Sequence, residues 1–340
     1  MEEAILKKKP KTDGIKKKTV EMPSSILFIL GPTASGKSEV AHQLAIQCGA
    51  SIFCMDSMQV YRGLEIGVGK PTLKEKAEVS YHGLDLVNLD QPFDVAAYLE
   101  EAKRFLEQRH PLEQPMIIVG GTGLYYRALT QGLSPIPEID PEIRAEIENL
   151  SLAQMQAELQ REDPEIWSRI DTQNPRRLIR ALEVKRGTGI PLSEWQRRHE
   201  APLIPDFSAF FLHREELRQR IDRRAVQMIA QGWREEVEEL VEEWGEERVK
   251  GLPAIGYNHL TDLFKGTMTE ALALERIQQE TWQYARRQLT WFRKESKYIP
   301  LNLSVDTPSA VVIESIRRTD GLPVCFSQNR FSAGPRPTCS

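Results

Sequence analysis

Short apolar runs alternate with helical stripes along this chain. Runs rich in β-branched and aromatic residues recur at Ile26 to Leu30, Ala50 to Met55, Met116 to Val119 and Phe207 to Leu212, each bounded by glycine, proline or polar residues. Such runs read as strands buried on both faces. Leu84 to Val87 and Tyr298 to Leu303 read as two shorter strands. Between them the apolar spacing is helical. One helix covers Glu39 to Ala45, and another runs from a cap at Asp94 to about Arg109 with Val95, Tyr98, Leu99, Ala102 and Leu106 on its core face. A single long helix is expected from Asp222 to Trp244. Its buried stripe would be Val226, Ile229, Trp233, Val237, Leu240 and Val241, leaving Glu235, Glu236, Glu238 and Glu239 to solvent. Leu274 to Lys297 gives another helix, with Trp282, Ala285, Leu289 and Phe292 toward the core, and Pro308 to Arg318 a closing one. Strands alternating with helices predict an α/β fold, a parallel sheet with helices on both faces.

From Ser134 to Pro205 the strand pattern stops. Helices are predicted at Pro141 to Leu150, Leu152 to Gln160 and after Asn174-Pro175. Because a strand pattern resumes at Phe207, residues 134–205 read as an all-helical subdomain inserted into an α/β core of residues 25–133 and 206–320. The Lys-rich start, 1–24, and the Pro-, Ser- and Gly-rich end, 321–340, read as disordered tails.

Composition narrows the field. A chain of 340 residues, 40% apolar, can bury a full core. No stretch approaches the roughly 18 apolar residues of a membrane span, so no membrane partner is expected. The start is basic with no apolar region after it, unlike a secretory signal. Cys48, Cys54, Cys325 and Cys339 lack Cys-x-x-Cys spacing, which favours neither zinc nor a disulfide framework and makes a reducing cytoplasm the simplest compartment. The net charge of −4 argues against a uniformly basic protein, but a nucleic-acid face needs only a local excess of Lys and Arg.

The chemistry concentrates at strand ends. Directly after the first run stand Gly31, Pro32, Thr33, Ala34, Ser35, Gly36, Lys37 and Ser38. This is the phosphate loop G-x-x-x-x-G-K-[ST], whose amides converge on phosphate oxygens at a helix N-terminus. Lys37 would reach a terminal phosphate and Ser38 would offer its hydroxyl to Mg²⁺. The strand before it and the helix after it favour this reading over an ordinary Gly-rich turn. Alone, the loop is the mark of nucleotide- and ATP-binding proteins in general. Asp56 follows the second strand, where open α/β sheets do their chemistry; an Asx turn or helix cap is the bland alternative. Gly120-Gly121-Thr122-Gly123 ends the third, with glycines that let backbone approach a ligand closely and a hydroxyl at Thr122. Two basic stretches stand out in this acidic chain: Arg176 to Arg198, and a ridge of Arg286, Arg287, Arg293, Lys294 and Lys297 on the last long helix. Each fits a phosphate backbone or a solvated helix face.

These blocks, together with Asp56 to Leu64, Val119 to Tyr125, Asn174 to Leu178, Ala254 to Tyr257 and Arg287 to Arg293, resemble the tRNA dimethylallyltransferases (tRNA isopentenyltransferases) of bacterial type. They occur in the family's order over Ser25 to Leu303. The resemblance implies transfer of a dimethylallyl group from dimethylallyl diphosphate to N6 of adenosine 37, beside the tRNA anticodon, with release of diphosphate. It implies a phosphate loop holding the donor's diphosphate in place of ATP, with Mg²⁺ on Ser38. Asp56 is implied as the base, Thr122 as a hydrogen bond near the bridging oxygen, and Arg144 as an arginine reaching from the insertion toward the diphosphate and substrate, where the residues alone read as a helix-surface charge. Asp56, Ser57, Met58 and Gln59 would meet the flipped adenosine. Arg176, Arg177, Leu178, Ile179 and Arg180, with Arg286, Arg287, Gln288 and Arg293, would hold the anticodon stem-loop. The enzyme is expected to act as a monomer. Two departures are visible: Gly67-Val68-Gly69-Lys70-Pro71 stands where the family commonly has Gly-Thr-x-Lys-Pro, and no Cys and His cluster follows the core, as in bacterial members.

Three rivals compete with this expectation. A small-molecule kinase would use the loop for ATP, an isopentenyltransferase acting on free adenine nucleotide would have little use for the insertion, and an RNA-binding module would carry the loop as a relic.

Overall fold

The computed structural model describes residues 25–108, 115–198, 200–319, 322 and 324–327. In chain order they form β1 (Ile26–Leu30), α1 (Lys37–Cys48), β2 (Ser51–Met55), α2 (Leu73–Glu78), β3 (Tyr81–His82), α3 (Val95–Gln108), β4 (Met116–Gly120) and α4 (Gly123–Gln131). Then come five helices: α5 (Pro141–Glu148), α6 (Leu152–Glu162), α7 (Pro164–Trp167), α8 (Pro175–Thr188) and α9 (Leu192–Trp195). The sheet resumes with β5 (Ser208–Arg214), followed by α10 (Leu217–Ala230), α11 (Trp233–Trp244), α12 (Glu246–Lys250), α13 (Tyr257–Phe264) and α14 (Glu270–Phe292). β6 (Ile299–Leu303), α15 (Ser309–Arg317) and α16 (Val324–Ser327) end the described chain.

The strands form one sheet in the order β3-β2-β4-β1-β5-β6, and every pairing is parallel. The period of two along each strand divides the core. Leu27, Ile29, Ile52, Cys54, Ile117 and Val119 pack beneath α1 and α15, while Phe28, Leu30, Phe53, Met55, Met116 and Ile118 pack against α3, α4 and α14. Both faces are covered, as the near-continuous apolar strands require. Residues of α5 to α8, among them Ile147, Met155, Leu159, Leu178 and Leu182, bury one another in a separate cluster.

Several elements differ from the sequence reading. No strand forms at Leu84 to Val87; β3 lies earlier, and Val87 makes only an isolated bridge to Tyr61. Asp85 sits there at φ 54, a left-handed turn conformation that breaks an extended run. The expected helix Asp222 to Trp244 is two helices, separated at Gln231-Gly232, where Gly232 takes φ 105. The break resets the helical phase, so Val226 is 50% exposed while Leu217, Ile221 and Ala225 are buried. The last long helix stops at Phe292, not Lys297, because the Tyr298 hydroxyl caps the Phe292 carbonyl at 2.9 Å and β6 begins one residue later. Leu322 onward was expected to be disordered, yet 324–327 form a helical turn with Phe326 fully buried. The rest of the 321–340 tail, residues 1–24 and Arg109 lie outside the described residues, apart from Leu322.

Candidate active site

The phosphate loop joins β1 to α1 with its carbonyls occupied. Lys37 Nζ donates to Pro32 O (3.2 Å), Arg220 Nε to Ala34 O (2.8 Å) and Arg214 Nε to Ser35 O (3.0 Å). The Thr33 amide donates to Gln288 Oε1 at 2.8 Å. Ala34 is held at φ 61 and Gly36 at φ 88, an alternation that turns successive amides to one side. The amides of Ala34, Gly36 and Lys37 make no hydrogen bond to any described group. Orphan N–H groups at a helix N-terminus are an anion cradle.

The cradle opens on a cavity of about 400 Å³ lined by Thr33, Ala34, Lys37, Ser38, Asp56, Ser57, Met58, Gln59, Arg224, Tyr284, Arg287 and Gln288, among others. Gly31, Pro32 and Ser35 are buried behind the loop's lining residues. Burial pushes the Lys37 ammonium down to about 8, helped by the Arg224 charge and opposed by Asp56. Burial likewise lowers Arg224, whose favourable neighbour is again Asp56. Burial raises the Tyr284 phenol, and the Asp56 charge adds to it. One carboxylate thus faces two half-buried cations. Asp56 Oδ1 accepts the Met58 amide at 2.8 Å, so the Asx turn is real and occupies only one oxygen. Oδ2 has no hydrogen bond among the described residues.

The cavity wall from Gln59 to Pro71 is built by hidden polar contacts. Gln59 Nε2 donates to Val68 O and Gly69 O, both at 3.1 Å. Lys70, its side chain 1% exposed, donates to Tyr61 O (2.8 Å) and Glu65 (2.9 Å) and pairs with Asp85. Burial works against ionised Asp85, but Lys70 and then Lys76 hold its carboxyl below the usual range. Glu236, expected in solvent, accepts from the Ile66 amide (2.6 Å), the Gly67 amide (3.4 Å) and the Tyr257 hydroxyl (2.6 Å), and burial raises its carboxyl. A helix of paired glutamates gives no sequence signal for which one turns inward.

Some expected site residues lie elsewhere. Thr122 is the N-cap residue of α4. Its buried hydroxyl makes no hydrogen bond of good geometry; it neighbours Tyr284 and does not line the cavity. The adjoining glycines serve close packing within the protein: a Cβ on Gly120 would fall 2.0 Å from Met55 O, and one on Gly121 2.3 Å from Gln288 Nε2. Arg144 pairs with Glu148 at 2.9 Å on the exposed face of α5 and is absent from the lining. Leu178 and Ile179 are buried at 0% and 8% exposure, which removes them from any RNA-contacting set. Arg176, Arg177 and Arg180 remain exposed on α8. Gln288 is 6% exposed and spends both amide ends on backbone, the second on Gly121 O at 3.0 Å. It couples the phosphate loop to the end of β4 and lines the cavity between them. Arg286, Arg287 and Arg293 are exposed, and Arg287 lines the cavity.

Sequence reasoning missed Arg214, Arg220 and Arg224. Arg214 ends β5, so the strand-end rule that flagged Asp56 applies to it equally; Arg220 and Arg224 carry no such mark.

A family model described as IPP transferase matches residues 59–295. The chain belongs to the IPP transferase family. Within that family, a tRNA dimethylallyltransferase of Methylacidiphilum infernorum (isolate V4) is 39% identical over 274 residues, covering 79% of this chain and 83% of the relative. One of Geobacter sulfurreducens is 38% identical over 300 residues, covering 86% and 96%. Among solved structures, the tRNA isopentenylpyrophosphate transferase of Bacillus halodurans superposes on this transferase with a TM-score of 0.58 at 28% identity, covering 85% and 93% of the two chains. A eukaryotic dimethylallyltransferase gives a TM-score of 0.69 at 24% identity, covering 82% and 73%, which bears on the fold alone. No helix among the described residues of this IPP transferase is long and apolar enough to cross a membrane.

Proposed function

We propose that this enzyme transfers the dimethylallyl group of dimethylallyl diphosphate to N6 of adenosine 37 in the tRNA anticodon stem-loop, acting as a monomer and releasing diphosphate. The observation that carries the reading is one cavity holding an amide cradle with free N–H groups, two half-buried cations and a carboxylate with a spare oxygen, next to apolar walls. The relatives are named for this transfer, not for phosphorylating small molecules or for prenylating free adenine nucleotide.

Charge accounting gives the roles. The exocyclic amine of adenine is a poor nucleophile because its lone pair is delocalised into the ring. As its nitrogen bonds to C1 of the donor, the C1–O bond breaks, its electrons leave on the diphosphate, and one N6 proton moves to Asp56. A positioned base contributes roughly 10²- to 10⁴-fold. Negative charge gathering on the leaving group meets the amides of Ala34, Gly36 and Lys37, the Lys37 ammonium and Arg224, which are already in place. Ser38, exposed in the cavity on the first turn of α1, fits Mg²⁺ held jointly with donor phosphates, since Mg²⁺ needs few protein oxygens. No group of three or more His, Cys, Asp or Glu among the described residues could hold a metal by itself, and Mg²⁺ bound at Ser38 would supply charge neutralisation to the diphosphate.

The base must leave its stack to reach Asp56. Arg287 at the cavity, with exposed Arg286 and Arg293, is where stem-loop phosphates would pass, and Arg176, Arg177 and Arg180 offer a second cationic face. Purified protein incubated with Mg²⁺, dimethylallyl diphosphate and unmodified tRNA should add the dimethylallyl mass at position 37. Mass spectrometry of the digested tRNA showing that nucleotide unaltered refutes the reading.

A further inference from the structure

We propose that Trp233 is the gauge that limits the donor to a single isoprene unit, a specificity-determining residue whose role rests on the transfer proposed above. The ruler is α10. Its Ile221, Arg224, Ala225 and Met228 all line the cavity, at spacings that place them on one helix face. At its start, Ile221 clusters with Ala34 of the phosphate loop, and Arg220 donates to Ala34 O at 2.8 Å, so this end adjoins the donor's phosphates. Trp233 stands at the other end, beyond the break at Gly232, and also lines the cavity. From Ile221 to Met228 the helix rises about 10 Å. Beyond a diphosphate, that leaves room for a short branched alkyl group.

The far wall is built not to yield. Trp233 is 2% exposed and lies between two backbones: a Cβ on Gly67 would fall 2.2 Å from its Nε1, and one on Gly256 2.4 Å from its Cη2. Gly67 has no positive φ, so what glycine supplies there is space for the indole. One turn along α11, Glu236 accepts from the amides of Ile66 and Gly67 and from the Tyr257 hydroxyl, locking the loop in front of the ring to the helix that carries it. Ala254 and Ile277 cluster with Trp233 and line the same end, which apart from the unpaired indole N–H presents an apolar wall that leaves no slack for a longer chain. A second isoprene unit would have to occupy the indole's volume.

The test compares dimethylallyl and geranyl diphosphate as donors, with full-length protein, Mg²⁺ and an unmodified tRNA transcript. The wild type should use the first and discriminate strongly against the second. Trp233→Ala should move the ratio of kcat/KM values toward geranyl diphosphate by at least about tenfold, the order that pocket size commands in apolar sites, while Trp233→Phe keeps the wild-type ratio. Met228→Ala, at the same end but outside the locked wall, should shift the ratio less and in the same direction; it decides the matter if circular dichroism shows Trp233→Ala unfolded, and an unchanged ratio there overturns the gauge. A folded Trp233→Ala that leaves the ratio unchanged, or changes only KM for tRNA, overturns the gauge alone. A wild type that prenylates no tRNA from dimethylallyl diphosphate overturns the reading beneath it as well.

Discussion

At the scale of residues, the site is a contest between burial and charge. Lys37 is half-buried beside Arg224, and desolvation with that neighbouring charge pulls its ammonium down to about 8. The charged form grips diphosphate, and kcat/KM reports groups of the free enzyme. Donor kcat/KM should therefore be flat below pH 8 and fall as pH rises through it; initial rates at low donor concentration across pH 6.5 to 9.5 check this, and a profile flat to pH 9.5 contradicts it. Asp56→Asn removes the proton acceptor and keeps the Asx turn oxygen. Its kcat should drop by roughly 10²- to 10⁴-fold with tRNA affinity nearly unchanged, as single-turnover rates and filter binding would show. Asp56 was legible because strand ends in parallel sheets face the ligand crevice. Gln288 was legible only as part of a motif, and its structural role was not, since nothing in the local sequence says that its amide reaches Thr33 across 255 positions of chain. As a positioning residue, Gln288→Ala should raise the donor KM well beyond its effect on kcat.

At the scale of elements, the helices that follow their own apolar period were readable and the points where they stop were not. α3 is capped by Asp94, whose carboxylate takes the amides of Ala96 and Ala97 at 2.9 Å, and α8 by Asn174; both caps are local chemistry. The division between α10 and α11 falls at Gly232, held at φ 105, and Trp233 beside it packs between Gly67 and Gly256, a slot that no window of α10 or α11 reveals. The irregular segment after β2 is held by the buried Lys70, whose ammonium pairs with Glu65 and Asp85, carboxylates that reach solvent. Because both carboxylates reach solvent and can be hydrated once the ammonium is gone, losing the pairing costs about 1 kcal/mol, so Lys70→Met should lower the urea midpoint slightly, with donor turnover lost alongside because the same segment lines the cavity. A midpoint within experimental scatter of the wild type would show the network to be dispensable.

At the scale of the whole molecule, cationic surface is distributed in two places, the end of α14 and the exposed side of α8. If both hold phosphates, each lost contact lowers the slope of log K against log salt by about one. Arg287→Ala with Arg293→Ala should therefore reduce that slope by about two, and Arg176→Ala with Arg177→Ala by a similar amount, measured by tRNA binding across a salt series. A pair whose loss leaves the slope unchanged lies outside the interface. What the sequence by itself determined is whatever depends on neighbours along the chain: strands buried on both faces, the amide-rich loop between β1 and α1, the caps, and the order of motifs that places the chain in its family. Tertiary structure alone decided that Glu236 turns inward, that Leu178 and Ile179 are core, and that arginines from β5 and α10 brace and charge the phosphate cradle. The physical reason is that these depend on which surfaces meet when distant segments pack. Burial then reassigns residues that look alike in sequence, making one glutamate of a run a structural acceptor and leaving its neighbours in water.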